Sequence, residues 1–494
     1  MNPNAMKLYI QNTLMAASLL LLGACNNDND NDADSPTDTV GVPTIAVDIG
    51  DSEVPYIIID TDGTQIENEP KVGATMYVYS ENELIKATPV GIEFRGSTSF
   101  RLSDKKSYGI ETWTENGEDT DESFFGMPEE EDWILAGHIV NEQQGFITDR
   151  TLMYHYVGYN LYRDMGRYAS RTQMVELQIN DEYLGVYVFM EKLKRDNERI
   201  DIANLRPGED SGEELTGGYI LKIDKTDGGD LNLNQPLEYF LNNWDDDARY
   251  LESNSFRSRY DVFGNVINFD PYDAPYHSRM FLETYFNYEE PKADEITQAQ
   301  KEYIQTYMDE FETALLNDDF STEERTYTEY IDIPSFVDHF ILNELVRNVD
   351  GYRLSTYLVK DKNEKLEMGP VWDLNIGYDT GDRIPFTDWV VNYNNYVIAD
   401  PWMMPFWWPR LLEDPTFTSA IQARWSELRA GPLSTANIEQ LVDDTKSYLV
   451  DNGAVERNYA KWNRVGVDYD ASVESMKSFL RDRADWMDGE IAAF

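Results

Sequence analysis

Short runs of apolar and β-branched residues, each bounded by Gly, Asp or Pro, mark the chain from residue 43 onward. Ile57-Ile58-Ile59, residues 76–79 and residues 90–94 read as strands. Strand patterns recur at 106–111, 175–179 and 186–190, and Asn180-Asp181-Glu182 predicts a hairpin turn between the last two. Residues 151–165 instead carry Leu152, Tyr156, Tyr159 and Leu161 at helical spacing, and Gly166 ends the run. One more strand is predicted at 219–223. Residues 228–287 are acidic and aromatic with weak periodicity, and they read as an irregular insertion extending to about residue 290. Beyond it the period changes. Residues 299–316 and 333–349 follow the i, i+3, i+4 pattern, the second with Pro334 in its first turn. Two short strands at 356–359 and 365–368 follow, linked around Lys362-Asn363, and then helices at 417–429, 435–450 and 472–494. The expected fold class is α/β of the α+β kind, with a β-rich N-terminal part and a helix-rich C-terminal part.

One apolar run stands apart from this scheme. Residues 14–22 are apolar or small, too short to span a bilayer, preceded by Met6-Lys7 and closed by Leu22-Gly23-Ala24-Cys25. This predicts a lipoprotein export signal over residues 1–25, with a lipid attached at Cys25. The polar, acidic run 26–34 argues against a buried helix that merely ends at a cysteine. Residues 26–42 then form a tether, and residues 43–490 the folded domain. Asn26 leaves no retention aspartate after the cysteine, so the expected address is the cell envelope, at the outer membrane or surface of a Gram-negative bacterium. Cys25 is the single cysteine in 494 residues, so no intrachain disulfide and no thiolate metal site can form.

Composition narrows the function further. Asp and Glu number 92 against 41 Lys and Arg, a formal charge of −51, which repels phosphate backbones and excludes nucleic acid as a natural partner. Asp28, Asp30, Asp32 and Asp34 alternate like calcium-loop ligands but lack the loop Gly and the closing Glu. His-Glu-x-x-His, Gly-x-Ser-x-Gly and the Walker lysine motif are all missing, which disfavours zinc hydrolysis, serine esterase chemistry and a P-loop. What remains is a set of charged residues at strand ends. Arg95-Gly96-Ser97-Thr98-Ser99 offers a guanidinium, accessible N–H groups and hydroxyls to a phosphate, although taken alone it is more often an ordinary polar turn. Lys105 and Lys106 lead into the next strand, and Glu191 ends another where it could orient such a lysine. The strongest signal is helix, acidic loop, hairpin, second acidic loop, which presents Asp350 and Asp373 together. Phosphoryl transfer needs such a pair, although two turn-capping aspartates would read the same.

These residues resemble the CotH kinase family, named for a spore-coat protein. The match runs in order through Phe94-Arg95-Gly96-Ser97-Thr98-Ser99 with Lys105-Lys106-Ser107-Tyr108, Val175-Glu176-Leu177 through Gly185-Val186-Tyr187 to Glu191-Lys192, Gly217-Gly218-Tyr219-Ile220-Leu221-Lys222-Ile223-Asp224, Asn348-Val349-Asp350-Gly351-Tyr352 and Gly369-Pro370-Val371-Trp372-Asp373. The tail is similar too, at Arg410-Leu411-Leu412-Glu413-Asp414-Pro415 and Arg424-Trp425-Ser426-Glu427-Leu428-Arg429. The resemblance implies an atypical protein-kinase-like fold that moves the γ-phosphoryl group of ATP, with Mg²⁺ or Mn²⁺, to protein serines. It implies Asp350 as catalytic aspartate, Asp373 as metal ligand, Lys106 or Lys105 as phosphate lysine with Glu191 as its partner, and Arg95 on the phosphate side. Ser355 stands where the family often has Asn, and Asn375 where an Asp can follow, both still oxygen donors. The expected partners are serine-bearing proteins and the lipid membrane. A weak or inactive kinase-like domain kept for surface binding or adhesion is the alternative, drawing on the aromatic run Pro401-Trp402-Met403-Met404-Pro405-Phe406-Trp407-Trp408, which is otherwise read as core or pocket lining.

Overall fold

The computed structural model describes residues 42–96, 98–225, 250–272, 282–378, 383–398, 400 and 402–494. The export signal, Cys25 and nearly all of the tether lie outside the described residues. Pro43–Phe494 forms one compact unit. Among the described residues no helix is long and apolar enough to cross a membrane.

Seven strands close into a barrel in the order β1-β2-β3-β4-β5-β9-β8. They are β1 (Tyr56–Asp60), β2 (Val72–Ser80), β3 (Glu83–Arg95), β4 (Ser107–Thr112), β5 (Asp132–Ala136), β8 (Thr172–Ile179) and β9 (Glu182–Glu191). A short helix α1 (Thr98–Leu102) follows β3, and a small ribbon of β6 (Val140–Asn141) and β7 (Phe146–Ile147) precedes helix α2 (Tyr154–Asp164). Closure comes from β1, which runs antiparallel to β2 and parallel to β8. The alternation of β1 explains why it is buried on both sides. Ile57 and Ile59 point into the barrel with Trp133 and Phe189, while Tyr56 and Ile58 pack outside with Tyr77, Tyr79 and Tyr183. The hairpin at Asn180 forms as expected, with Asn180 at φ 51°.

The outer face of β8 and β9 joins the main core, which runs through α2 into a second sheet, of order β11-β12-β10-β13-β14. These strands are β10 (Tyr219–Ile223), β11 (Ser255–Asp261), β12 (Glu283–Glu290), β13 (Thr356–Lys360) and β14 (Glu367–Met368). This corrects the sequence reading of residues 228–290 as irregular. Of its described residues, that segment supplies β11 and β12, whose aromatic residues Phe256, Tyr260, Tyr285, Phe286 and Tyr288 are all buried, the adjacent Tyr285 and Phe286 on opposite faces, which blurs a period of two; residues 228–249 and 273–281 lie outside the described residues.

The helical part comprises α3 (Gln298–Leu316), α4 (Ile333–Val346), α5 (Tyr393–Tyr396), α6 (Trp407–Leu412), α7 (Pro415–Arg429), α8 (Thr435–Asp451), α9 (Ala454–Lys461) and α10 (Tyr469–Ala492). Starts follow local chemistry. Thr297 and Gln300 form a capping box at α3, and Asp332, Asp414, Ser434 and Asp468 accept backbone N–H groups at α4, α7, α8 and α10. Helix α4 is buried at every position from 335 to 346, as an all-round apolar helix must be. The aromatic run before α6 is core: Met403, Met404, Phe406, Trp407 and Trp408 are all buried. The adhesive reading loses its support there.

Glu312 of α3 joins these layers. Its carboxyl accepts from Ser258 of β11 at 2.7 Å and from the Trp407 indole at 2.9 Å. Burial pushes this carboxyl up to about 8. A group raised above its unfolded value near 4.5 contributes stability that is complete below that value and lost as pH rises through about 8. Glu312→Gln keeps an acceptor for Trp407 and removes the titration. Its melting temperature is therefore expected to fall less than the parent's between pH 5 and pH 9, by about 3 °C or more in thermal melts.

Candidate functional site

The end of α4 builds the site. Arg347 turns into the left-handed region at φ 52° and stops the helix, and the chain enters the loop Asn348-Val349-Asp350-Gly351-Tyr352. The helix holds this loop down. His339 Nε2 lies 2.6 Å from the Gly351 carbonyl, and Asn348 donates to Asn343 Oδ1 at 3.2 Å. A Cβ on Gly351 would sit 2.1 Å from Asn343 Oδ1, so only glycine fits. Tyr352 donates to Glu344 at 3.2 Å. Glu344 in turn accepts from the N–H groups of Val390 and Val391, at 2.6 and 3.0 Å, and from Arg483 of α10 at 2.9 Å. Both members of the Glu344–Arg483 pair are wholly buried.

The second acidic loop returns to the same helix end. Tyr378 donates its N–H to the Val346 carbonyl at 2.6 Å, and Gly377 passes so close that a Cβ would lie 2.8 Å from that oxygen. Asp373 precedes the short 3-10 turn Leu374–Ile376, with its own backbone left-handed at φ 52° and its N–H donated to Tyr159 of α2 at 3.2 Å. One loop leaving this helix terminus and one returning to it thus bring Asp350 within reach of the Asp373 charge.

Their charges are coupled. Burial pushes the Asp350 carboxyl up, the Asp373 charge adds to this, and Arg353, Arg383 and Lys225 oppose it. Asp350 Oδ1 accepts from Arg353 at 2.6 Å. Asp373 is also disfavoured by burial, but His155, Arg95 and Lys225 outweigh that and hold it below the ordinary carboxylate range. His155 Nε2 is 3.8 Å from Asp373 Oδ1, an electrostatic contact longer than a hydrogen bond. Arg95, at the end of β3, lies over the Trp372 ring at 5.3 Å, so this predicted residue does reach the site.

The predicted lysines and their partner do not. Lys105 is buried against α9, donating to the Val186 carbonyl at 2.5 Å and to Asn458 at 2.9 Å. Burial pushes its ammonium well below its usual range, with Asp149 and Glu176 opposing in part. Lys106 folds back onto the Phe100 carbonyl at 2.5 Å. Glu191 is fully buried and accepts from Arg171, from its guanidinium at 2.7 Å and its N–H at 2.8 Å. It orients no lysine. The motif Val175-Glu176-Leu177 is structural as well, with Glu176 bound by Arg457 at 2.9 Å.

Another lysine stands at the site. In the second sheet Lys222 of β10 sits opposite Tyr357 of β13, the strand that follows the Asp350 loop. Lys222 Nζ pairs with Asp224 Oδ2 at 2.9 Å and lies 5.6 Å from the Tyr357 ring. Burial alone would lower this ammonium, but Asp224, Tyr357 and Glu289 hold it well above its ordinary value. Ser355, left-handed at φ 48°, donates to Asp224 Oδ2 at 3.3 Å. The Tyr357 hydroxyl, raised to about 12 chiefly by burial, senses both Lys222 and Arg95. The signal for Lys222 and Asp224 lay in Gly217-Gly218-Tyr219-Ile220-Leu221-Lys222-Ile223-Asp224, where strand alternation places residues 222 and 224 on one face.

The donor chemistry suits a hard cation. Asp373 is 38% exposed at its side chain, Asp350 21%, and Asn375 and Ser355 are half-buried oxygen donors beside them. Magnesium takes one or two carboxylates and completes its shell with phosphate and water oxygens. A tighter acidic cluster, Glu130, Glu131 and Asp132, is spaced for an ion, but Lys194 already binds all three at 2.5, 2.6 and 3.3 Å.

The site is therefore two aspartates within reach of each other's charge and of Arg95 and Lys225, with the Lys222–Asp224 pair on the strand next to β13, on a β-rich half joined to a helical half. The family model described as CotH kinase protein matches residues 92–487, and the chain belongs to that family. This membership points to an atypical kinase, a phosphotransferase, with ATP and a divalent metal as its cofactors. Comparison with curated proteins gives no match.

The loop rests on the Glu344–Arg483 pair, which yields a stability prediction. Arg483→Met leaves Glu344 buried without its charge partner and is expected to cost about 3–5 kcal/mol. Adding Glu344→Met is expected to return at least half of that loss, measured by urea denaturation as a double-mutant cycle.

Proposed function

We propose that this chain is a lipid-anchored protein serine kinase that uses Mg²⁺-ATP (or Mn²⁺-ATP) and acts on exported or surface proteins. The observation that carries this reading is the Asp350–Asp373 pair, with one oxygen of Asp350 held by Arg353 and its charge favoured by Arg383 and Lys225 as well. Asp373, Asn375 and Ser355 would hold the metal, which supplies positive charge against the phosphate oxygens. Arg95 and Lys222 bind and neutralise the phosphates. Lys222 takes the place expected of Lys105 or Lys106, and Asp224 the place expected of Glu191. Asp350 accepts the proton of the acceptor serine as its Oγ bonds to the γ-phosphorus, while the bond from that phosphorus to the bridging oxygen breaks and ADP leaves. Charge placement in a fixed cleft, rather than covalent chemistry by the protein, provides the acceleration.

The test is transfer of label from ATP to a serine-rich acceptor by the purified chain. Asp350→Asn and Asp373→Asn are each expected to lower kcat at least about 100-fold, and Lys222→Met by a similar factor. Lys106→Ala is expected to stay within about threefold of the parent. Transfer that survives both aspartate substitutions rejects the reading.

Envelope anchoring rests on the residues before the folded unit. Cys25→Ser is expected to move the protein from the membrane pellet to the soluble fraction on ultracentrifugation. Retention of that variant in the pellet would count against lipid attachment at Cys25.

A further inference from the structure

Arg353 is an oddly placed cation. It stands in the turn that follows Asp350, yet it is only 3% exposed. Its donors are committed: Nε to the Val349 carbonyl at 3.0 Å, one terminal nitrogen to Asp400 Oδ1 at 3.1 Å and the Trp402 carbonyl at 2.8 Å, the other to Asp350 Oδ1 at 2.6 Å. The guanidinium carbon lies 4.4 Å from the centre of the Tyr393 ring, and Tyr393 donates to the other oxygen of Asp400 at 2.6 Å. A planar group held by four acceptors and one ring cannot swing, so whatever it grips is oriented.

What it grips reaches a second strand end. Backbone N–H groups of Arg353 and Leu354 donate to the Asp350 carbonyl at 3.0 and 2.9 Å, fixing the main chain of that residue. On the far side, the Trp402 indole donates to Tyr250 at 3.0 Å, Tyr250 donates to the Asp224 carbonyl at 2.7 Å, and Lys225 Nζ lies 5.8 Å from the Trp402 ring. A chain of contacts thus runs from Asp350 through Arg353, Asp400 and Trp402 to the strand end that bears Lys222 and Asp224.

We propose that Arg353 is a positioning residue: by holding Asp350 through Oδ1 it presents Oδ2 to the acceptor hydroxyl, and by holding Asp400 and Trp402 it ties that orientation to the strand end at Asp224. The inference rests on the kinase reading and adds a residue to it. One bond to an ionised oxygen leaves the other lone pairs free, and it fixes the direction from which a serine must approach. Lysine cannot reproduce this, because an ammonium lacks the fork that reaches Asp350, Asp400 and two carbonyls together.

The experiment uses the full chain in detergent, with labelled ATP, Mg²⁺ and a serine-rich acceptor, and compares the parent with R353A, R353K and D400N. Nucleotide binding is followed separately by the shift of the melting temperature with ATP and Mg²⁺. R353A is expected to lose about 100-fold in kcat with KM for ATP within about threefold of the parent, and guanidinium ion at millimolar concentration is expected to restore at least about tenfold. R353K is expected to recover less than guanidinium does. D400N loosens Arg353 without touching Asp350, and is expected to lose about tenfold in kcat should R353A fold poorly. A kcat for R353A or D400N equal to the parent's overturns the role of Arg353 alone. A loss that follows the folded fraction and that guanidinium does not reverse overturns it too, by reducing Arg353 to packing. A parent that binds ATP and Mg²⁺ but transfers no label overturns the kinase reading and this inference with it.

Discussion

Glu344 and Arg483 meet inside the helical half with no exposure to water at either side chain. A buried pair of this kind is tolerable only when its remaining lone pairs and protons are occupied. Here the Glu344 carboxylate accepts from two backbone N–H groups and from Tyr352, and Arg483 donates to the carbonyls of Glu344, Phe386 and Asp388. Four stretches of chain are tied by one ion pair: α4, the loop after it, residues 384–391 and α10. Asp350 lies just beyond the helix that carries Glu344, and the loop after Asp373 returns to bond the same helix end through Tyr378, so both aspartates are anchored close to this pair.

The rest of the site is a matter of register. β13 follows the Asp350 loop directly, and its pairing with β10 sets Lys222 across from Tyr357 and Ile223 across from Thr356. A slip of one residue would turn Lys222 away from the cleft. β3 brings Arg95 from the barrel to the Trp372 side, so the cations arrive from two different sheets while the two aspartate loops meet at one helix end. In a chain with a formal charge of −51, Arg95, Lys225, Arg353 and Arg383 gather around the charges of Asp350 and Asp373.

The local part of this organisation is legible in the order of residues. Nearly every strand and helix expected from periodicity forms, and the loops holding Asp350 and Asp373 are seated where a helix followed by a hairpin implies. The failures share a cause. Lys105 and Lys106 look alike along the chain, but one meets Asn458, some 353 positions away, and the other folds onto Phe100. Glu191 ends a strand next to Lys192, but Arg171, just before the neighbouring strand β8, takes its carboxylate. Strand β5 is hidden from a periodicity reading although all of Asp132–Ala136 is buried, because its acidic approach masks it.

By itself, the order of residues determined most of the strands and helices, the capping residues that start the helices, and which two aspartates sit in the loops after α4 and β14. Those outcomes depend on neighbours within a few positions, through side-chain alternation, capping and left-handed turns. Only the tertiary structure decided that the first strands close into a barrel, that residues 255–261 and 283–290 join the second sheet, and that Lys105 and Lys106 are committed elsewhere while Lys222 pairs with Asp224 beside Ser355 and Tyr357. A charged side chain is committed by whichever opposite group or carbonyl lies within about 3 Å, and in a chain this long that partner is set by packing between elements far apart in sequence.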